Sequence, residues 1–380
     1  MTVAVGDGFG APRAVSAELS LAAARAGGVR LILGWMPMAD PGLDLAAFAD
    51  VRTIMPGWGL RNGVAAGLVH YPPVRLSAVP ALLHGPWRPD LLVAALVPVA
   101  APSAGGGSPR AATFAFGSEV SWQRAAINAG ATVAAVISRG APRADAGEPL
   151  EQDKVTVVGE ETEPPGVLRG TQPKAEHEEI ARRVALLVPA GARVQVGPSP
   201  VGDALLRLLT VPVTIDSGLL PDAVTVLAGR GLLIGEPVAT YLAGGPRLYA
   251  WADGRPVLHP IEYTHDLGRL STGPFIAVNT AVEIDLDGAV NVEGTASAVL
   301  GGIGGHADYA AAAARSVGGL SVIAVTTHHN GQPTLVSQLS RPVSTPSQDV
   351  DIVVTERGAA DLRGLSRPER HAALTKLWDL

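Results

Sequence analysis

The chain has 380 residues, with 45 glycines, 31 prolines, no cysteine and a formal charge of −6. At 47% hydrophobic and 17% charged, it is long enough for two globular domains with sizeable cores. The missing cysteine excludes disulfides, thiolate zinc sites, iron–sulfur clusters and cysteine nucleophiles.

The first ten residues, Met1 to Gly10, carry neither a basic nor an apolar block and do not read as a signal peptide. In the first half, Val29–Leu33, Leu91–Val97 and Ala131–Ile137 are apolar runs of buried-strand type, and Ser121–Ala129 is a helix between two of them. The longest apolar stretch, Leu91 to Ala104, has 14 residues and contains Pro98 and Pro102, whereas a membrane span needs about 20. A cytoplasmic protein that does not enter the membrane is expected.

Between Glu148 and Ile180, nine acidic residues face only Lys154, Arg169 and Lys174, so this segment carries the whole net charge. With Glu163-Pro164-Pro165 and Gly170 to Pro173 inside it, the segment reads as a solvated connection between domains 1–180 and 181–380. No basic stripe exists and aromatics are 4%, so nucleic acid is not an expected partner.

In the second half, Val211–Ile215, Phe275–Val278, Leu320–Val325 and Val350–Val354 read as strands. Helices are expected at Asp222–Ala228, Ala310–Ser316 and Arg367–Leu377, the last opened by a Ser366/Glu369 capping box. Strands alternating with helices imply layered α/β architecture with largely parallel sheets. His328-His329 precedes the hairpin signal Asn330-Gly331, which favours an exposed turn over a metal site.

No P-loop and no G-x-S-x-G elbow is present. The most informative string is Leu300-Gly-Gly-Ile-Gly-Gly-His-Ala-Asp-Tyr309 before an alanine-rich helix. Outward-turned amides of Gly302, Ile303, Gly304 and Gly305 beside a helix N-terminus suit an anion or an oxyanion. A dinucleotide fingerprint there lacks its acidic partner, since Leu320–Val325 runs into Thr326-Thr-His-His-Asn330, so NAD is not expected. A second strand–turn–helix string, Val194 to Ala204, loses two amide donors to Pro198 and Pro200.

From Ile215 to Leu380 the chain resembles the acetyl-CoA hydrolase/transferase family of class I CoA-transferases, which includes 4-hydroxybutyrate CoA-transferases. The strings are Ile215–Asp222, Ala239–Tyr249, His259–Asp266, Val278–Gly288, Gly301–Tyr309 and Asp351–Gly364, with weaker similarity at Val74–Pro80, Val97–Val99 and Phe116–Val120. The resemblance implies two related open α/β domains with coenzyme A, as part of an acyl-CoA, in the interdomain cleft and the 302–305 loop against the thioester. It implies a small carboxylic acid as a further substrate; a homodimer is the base-rate oligomer. Neither a metal nor NAD is expected.

In that family a glutamate attacks the thioester, and the position matching it here is Gly218. Glycine cannot perform that double displacement. Three readings remain open. Asp216 or His306 acts instead, giving hydrolysis or a related non-transfer reaction. A carboxylate such as Glu119, Glu262 or Glu293 has been recruited, giving a transferase. Or the chain binds acyl-CoA without turnover, as an inactive binder or partner subunit. Asp216 also fits a plain turn residue, and His306 an exposed first-turn residue.

Overall fold

The computed structural model describes residues 1–99, 113–168 and 172–380. The tail of the apolar run (residues 100–104) and Arg169, Gly170 and Thr171 of the acidic segment lie outside them. Two compact units result. The first comprises Met1–Val74, Ala78–Leu168 and Thr240–Glu262, and the second Arg75–Ser77, Arg169–Ala239 and Tyr263–Leu380.

The first unit holds β1 (Thr2–Val5), α1 (Ser16–Ala26), β2 (Arg30–Leu33), β3 (Asp50–Thr53), β4 (Leu91–Val99), β5 (Thr113–Phe116), α2 (Gln123–Asn128), β6 (Thr132–Ser138), β7 (Leu150–Glu151) and β8 (Val155–Glu161). Strands β3, β2, β1, β4, β6 and β8 are parallel neighbours in that order, while β5 and β7 add antiparallel pairings beside β4. The expected strands at 29–33, 91–97 and 131–137 are therefore present, central and apolar, as parallel strands covered on both faces require. The helix expected from Ser121 begins only at Gln123, because Ser121 takes a positive φ of 47° and turns its hydroxyl to within 2.5 Å of that of Tyr241. Part of the acidic segment is structured: Val155–Glu161 forms the edge strand β8, mostly exposed, with Glu160 and Glu161 at its end as the charges that discourage further strand pairing.

The second unit contains α3 (Ala175–Ala185), β9 (Arg193–Val196), α4 (Pro200–Leu208), β10 (Thr214–Ile215), α5 (Ala223–Gly229), β11 (Phe275–Asn279), α6 (His306–Arg315), β12 (Leu320–Ala324), β13 (Ile352–Thr355), β14 (Gly358–Asp361) and α7 (Arg367–Trp378). Its sheet runs β10-β9-β11-β12-β13-β14, parallel throughout except for the last pair. Only the end of the expected 211–215 strand joins this sheet. Pro212 cannot donate to a ladder, although its carbonyl accepts Gly191 N–H. Helix α6 brings five successive alanines to the sheet, and these short side chains let it lie close: Ala312, Ala313 and Tyr309 pack with Phe275, Ala277 and Leu270. His328–His329 pairs with Gln332–Pro333 around Asn330 and Gly331, both at positive φ, as an exposed hairpin.

The capping box on α7 forms as the sequence indicates. The Glu369 carboxylate accepts the Ser366 N–H at 2.7 Å and the Ser366 hydroxyl at 2.6 Å. Ser366→Ala is expected to lower stability by about 1 kcal/mol in urea unfolding, and an unchanged midpoint would remove the cap from the stabilising contacts.

Candidate functional site

In an open parallel sheet the carboxyl ends of the strands are where ligands gather, because loops and helix N-termini converge there. In the second unit this edge holds every site residue singled out in the sequence except Glu119 and Glu262, which belong to the first unit. Asp216 follows β10 directly; its N–H donates to Val194 at 2.9 Å, fixing it beside β9. Its buried carboxylate accepts both terminal nitrogens of Arg269, at 2.7 and 2.9 Å, and Arg193 lies 3.8 Å away. This two-point pairing occupies both oxygens. Arg193 in turn donates to the carbonyls of Arg269, Leu270 and Thr272, which close the short helix Leu267–Leu270.

The loop 302–305 enters α6, with Gly305 as its N-cap residue. The N–H groups of Gly302, Ile303, Gly304 and Gly305 donate to no acceptor among the described residues. By contrast, Leu300 and Gly301 just before them donate to the Glu293 carbonyl at 2.7 and 3.2 Å. His306 is held at both ring nitrogens: Nε2 faces the Thr280 carbonyl at 3.0 Å and Nδ1 the Thr345 hydroxyl at 2.7 Å. A carbonyl only accepts, so Nε2 carries the hydrogen and the Nδ1 lone pair takes the Thr345 O–H. Burial pushes the imidazole down to about 4, so it is neutral at physiological pH. Asp308, in the first turn of the helix, is fully buried and accepts the Ser77 N–H and hydroxyl at 3.0 and 2.6 Å; burial lifts its pKa to about 6.

The other glycine-containing turn is spent locally. Ser199 caps α4, accepting Gly202 N–H at 3.0 Å, with Pro200 in the first helical turn. Beside it, Gln195 donates to Asn279 at 3.2 Å across β9 and β11, and Gln195 Oε1 and Asn279 Nδ2 are buried without partners.

Gly218 lies two residues beyond Asp216. A Cβ placed on it would stand 3.3 Å from Tyr309 Oη and 3.5 Å from His265 Nε2. His265 is 1% exposed, its Nδ1 lies 2.8 Å from the Thr264 hydroxyl, and burial with the nearby Arg269 charge lowers its pKa to about 3. Its ring centroid is 4.8 Å from that of Tyr309, and a Cβ on Gly305 would overlap its Nε2. Gly218, His265, Tyr309 and Gly305 thus form one continuous surface. Sequence reasoning passed over His265 and Tyr309, although both stand inside quoted strings, because only the fold brings them to Gly218.

Of the other carboxylates considered, Glu293 is buried, with Ser344 Oγ donating to it at 3.3 Å and burial raising its pKa. Glu262 is exposed. Glu119 belongs to a separate buried acid cluster of the first unit, beyond β1 at the point where the strand order turns from β1 to β4. Its carboxylate accepts the Ser118 hydroxyl at 2.9 Å and Gly10 N–H at 3.3 Å, and a Cβ on Gly8 or Gly10 would stand 2.6 Å from its oxygens. That close approach accounts for Gly8 and Gly10 in the string Gly6-Asp7-Gly8-Phe9-Gly10, and at Gly6 a Cβ would meet Gln123 Oε1 at 2.5 Å. Asp7 Oδ2 accepts Trp35 N–H at 2.9 Å, Trp122 Nε1–H at 3.1 Å and the Tyr241 hydroxyl at 2.5 Å, while Oδ1 is buried without a partner among the described residues. Burial is the main cause that raises both acids, Asp7 to about 6 and Glu119 to about 8, with Asp7 also acting on Glu119.

Residues 244–379 match the acetyl-CoA hydrolase/transferase C-terminal domain. Over 345 residues the chain is 26% identical to the 4-hydroxybutyrate coenzyme A transferase of Clostridium kluyveri, covering 86% of this chain and 78% of that enzyme. It is 28% identical over 333 residues to the succinyl-CoA:cyclohexane-1-carboxylate CoA transferase of Geobacter metallireducens, covering 82% and 73%. Among solved structures, RipA from Yersinia pestis superposes with a TM-score of 0.84 at 23% identity, over 99% of this chain and 90% of that one. The domain match and these likenesses agree with the ordered strings: residues 244–379 form an acetyl-CoA hydrolase/transferase C-terminal domain, and the chain is similar along most of its length to CoA-transferases.

Proposed function

We propose that this protein binds an acyl-CoA and cleaves its thioester with water, without a glutamyl-CoA intermediate. The carrying observation is Gly218. At the position matching the family's nucleophile there is no side chain, while the groups able to bind a carbonyl oxygen around it are present. Water adding to the thioester carbon places negative charge on the carbonyl oxygen. The four unpaired amides of residues 302–305, at the N-terminus of a ten-residue helix, are suited to hold that charge. Breaking the carbon–sulfur bond then releases CoA as a thiolate, which takes up a proton, and leaves a carboxylic acid.

In this reading Asp216 and His306 are positioning residues. Asp216 has both oxygens on Arg269 and anchors the segment that carries Gly218. His306 ties the glycine loop to Thr280 and Thr345, and its one lone pair is occupied. The test is a panel of acyl-CoA esters incubated with and without free carboxylate acceptors. Thiol release at a rate independent of the acceptor is expected. Acceptor-dependent exchange with a trappable glutamyl-CoA adduct, on Glu293 or elsewhere, would overturn hydrolysis, and calorimetry showing no affinity for any CoA ester would overturn the whole reading.

A further inference from the structure

We propose that His265 and Tyr309 form a two-donor receptor for the acyl oxygen of the ligand, seated in the space that a side chain at Gly218 would fill. This inference rests on the acyl-CoA reading above and adds the pair to the 302–305 amides around the same carbonyl oxygen, Gly305 lying directly against both rings. The Tyr309 hydroxyl is buried and makes no hydrogen bond of full geometry among the described residues, an unfavourable state for a polar group unless a ligand completes it. The Thr264 hydroxyl is the side-chain hydroxyl that acts on it, and it lies 2.8 Å from His265 Nδ1. Likewise His265 Nε2 makes no hydrogen bond among the described residues, while its Nδ1 is taken by Thr264. Both unpaired atoms converge on the same point, 3.3 and 3.5 Å from the Cβ position of residue 218. An oxygen seated a few tenths of an ångström closer would reach both.

The protonation states suit a receptor that donates. Burial holds the His265 imidazole neutral, and when the Thr264 hydroxyl donates to Nδ1 the hydrogen sits on Nε2. Burial, reinforced by Asp216, raises Tyr309 well above the ordinary phenol value, so it stays O–H. With the hydrogen on Nε2 the pair presents two donors, which refuse a cation and an apolar group and accept an oxygen that carries partial or full negative charge. A neutral imidazole acts here as an electrophile, without the proton competition that an imidazolium would bring. The charges facing the pair point the same way: Arg269 and Arg193 outnumber Asp216, and Asp308 has a pKa raised toward neutrality. One glycine therefore has two consequences, removing a nucleophile and opening the space between these donors.

The test compares two CoA analogues by calorimetry. One is a ketone in which methylene replaces the thioester sulfur, and the other is an S-alkyl thioether that lacks the carbonyl oxygen. The native protein is expected to bind the ketone about tenfold more tightly, the value of roughly one good hydrogen bond. Tyr309→Phe and His265→Ala should abolish that preference, and His265→Gln, which restores an N–H donor, should return part of it. Gly218→Ala places a methyl group in the space itself. Gly218 has no left-handed φ, so the backbone accepts alanine, and this variant, with its unfolding midpoint as the check on the fold, should also lose the preference. In turnover, Tyr309→Phe should lose on the order of a hundredfold in kcat with KM little changed. Equal affinity of the native protein for the two analogues, or a preference that survives in both Tyr309→Phe and Gly218→Ala, would overturn the receptor alone. Failure of the native protein to bind CoA or either analogue would overturn both this inference and the acyl-CoA reading.

Discussion

Replacing Glu119 with glutamine is expected to stabilise the protein above pH 8 and to flatten the pH dependence of its unfolding. Burial and the neighbouring Asp7 raise the Glu119 carboxyl from an ordinary 4.5 to about 8, and burial raises Asp7 to about 6. The unfolded chain gives up these protons near the ordinary carboxylate values, whereas the folded chain retains them. Their contribution is therefore full below the unfolded pKa values and is lost as pH rises through about 6 and then about 8. Between pH 5 and 9 the native protein should lose on the order of a few kcal/mol. Glutamine keeps an oxygen for Ser118 and Gly10 and carries no proton to lose, so only the Asp7 share of the slope should persist. Thermal midpoints across this range decide the matter. A Glu119→Gln slope equal to the native one would show that Glu119 enters the fold already ionised.

Asp216→Ala is expected to be the most destabilising single change on the site edge of the second unit. Asp216 is 2% exposed and its two oxygens lie on Arg269. Removing it leaves Arg269 and Arg193 facing each other with no counter-charge, and breaking one side of such a pair costs about 3–5 kcal/mol. The lower end applies, because both arginines keep about a fifth of their side chains in contact with solvent. Chemical unfolding of Asp216→Ala, with Asp216→Asn beside it, gives the measurement. An unchanged midpoint in both variants would assign the carboxylate to chemistry rather than to structure.

What the sequence made legible followed from burial. Strands such as Leu91–Val99 and Phe275–Asn279 are covered on both faces and write themselves as continuous apolar runs. The edge strand Val155–Glu161 has no such face, so its charges read as a linker. The four-residue strand Thr2–Val5 is too short for any period to show, yet it is central to its sheet. At the site, the glycine loop and the missing side chain at Gly218 were legible because backbone freedom and absence are written in one-letter form. The partners of Asp216 and His306 were not, since Arg269, Thr280 and Thr345 reach them only through tertiary folding. Proximity of His265 and Tyr309 to Gly218 is likewise a property of the fold, and no local spacing encodes it.

The return of residues 240–262 to the first unit bears on how the protein is made. Tyr241 places its hydroxyl on Asp7 and its ring 5.4 Å from that of Trp35, and the Thr240 carbonyl accepts Val120 N–H at 3.0 Å. During synthesis the nascent first unit must wait for this segment, with much of the second unit's chain already emerged, before Asp7 acquires that partner. A fragment ending at residue 180 would carry an unfinished core and expose it on the ribosome and in the test tube alike. Completion of the first unit is thus tied to synthesis of the second, and chaperone dependence should be greatest while the ribosome is between residues 180 and 262.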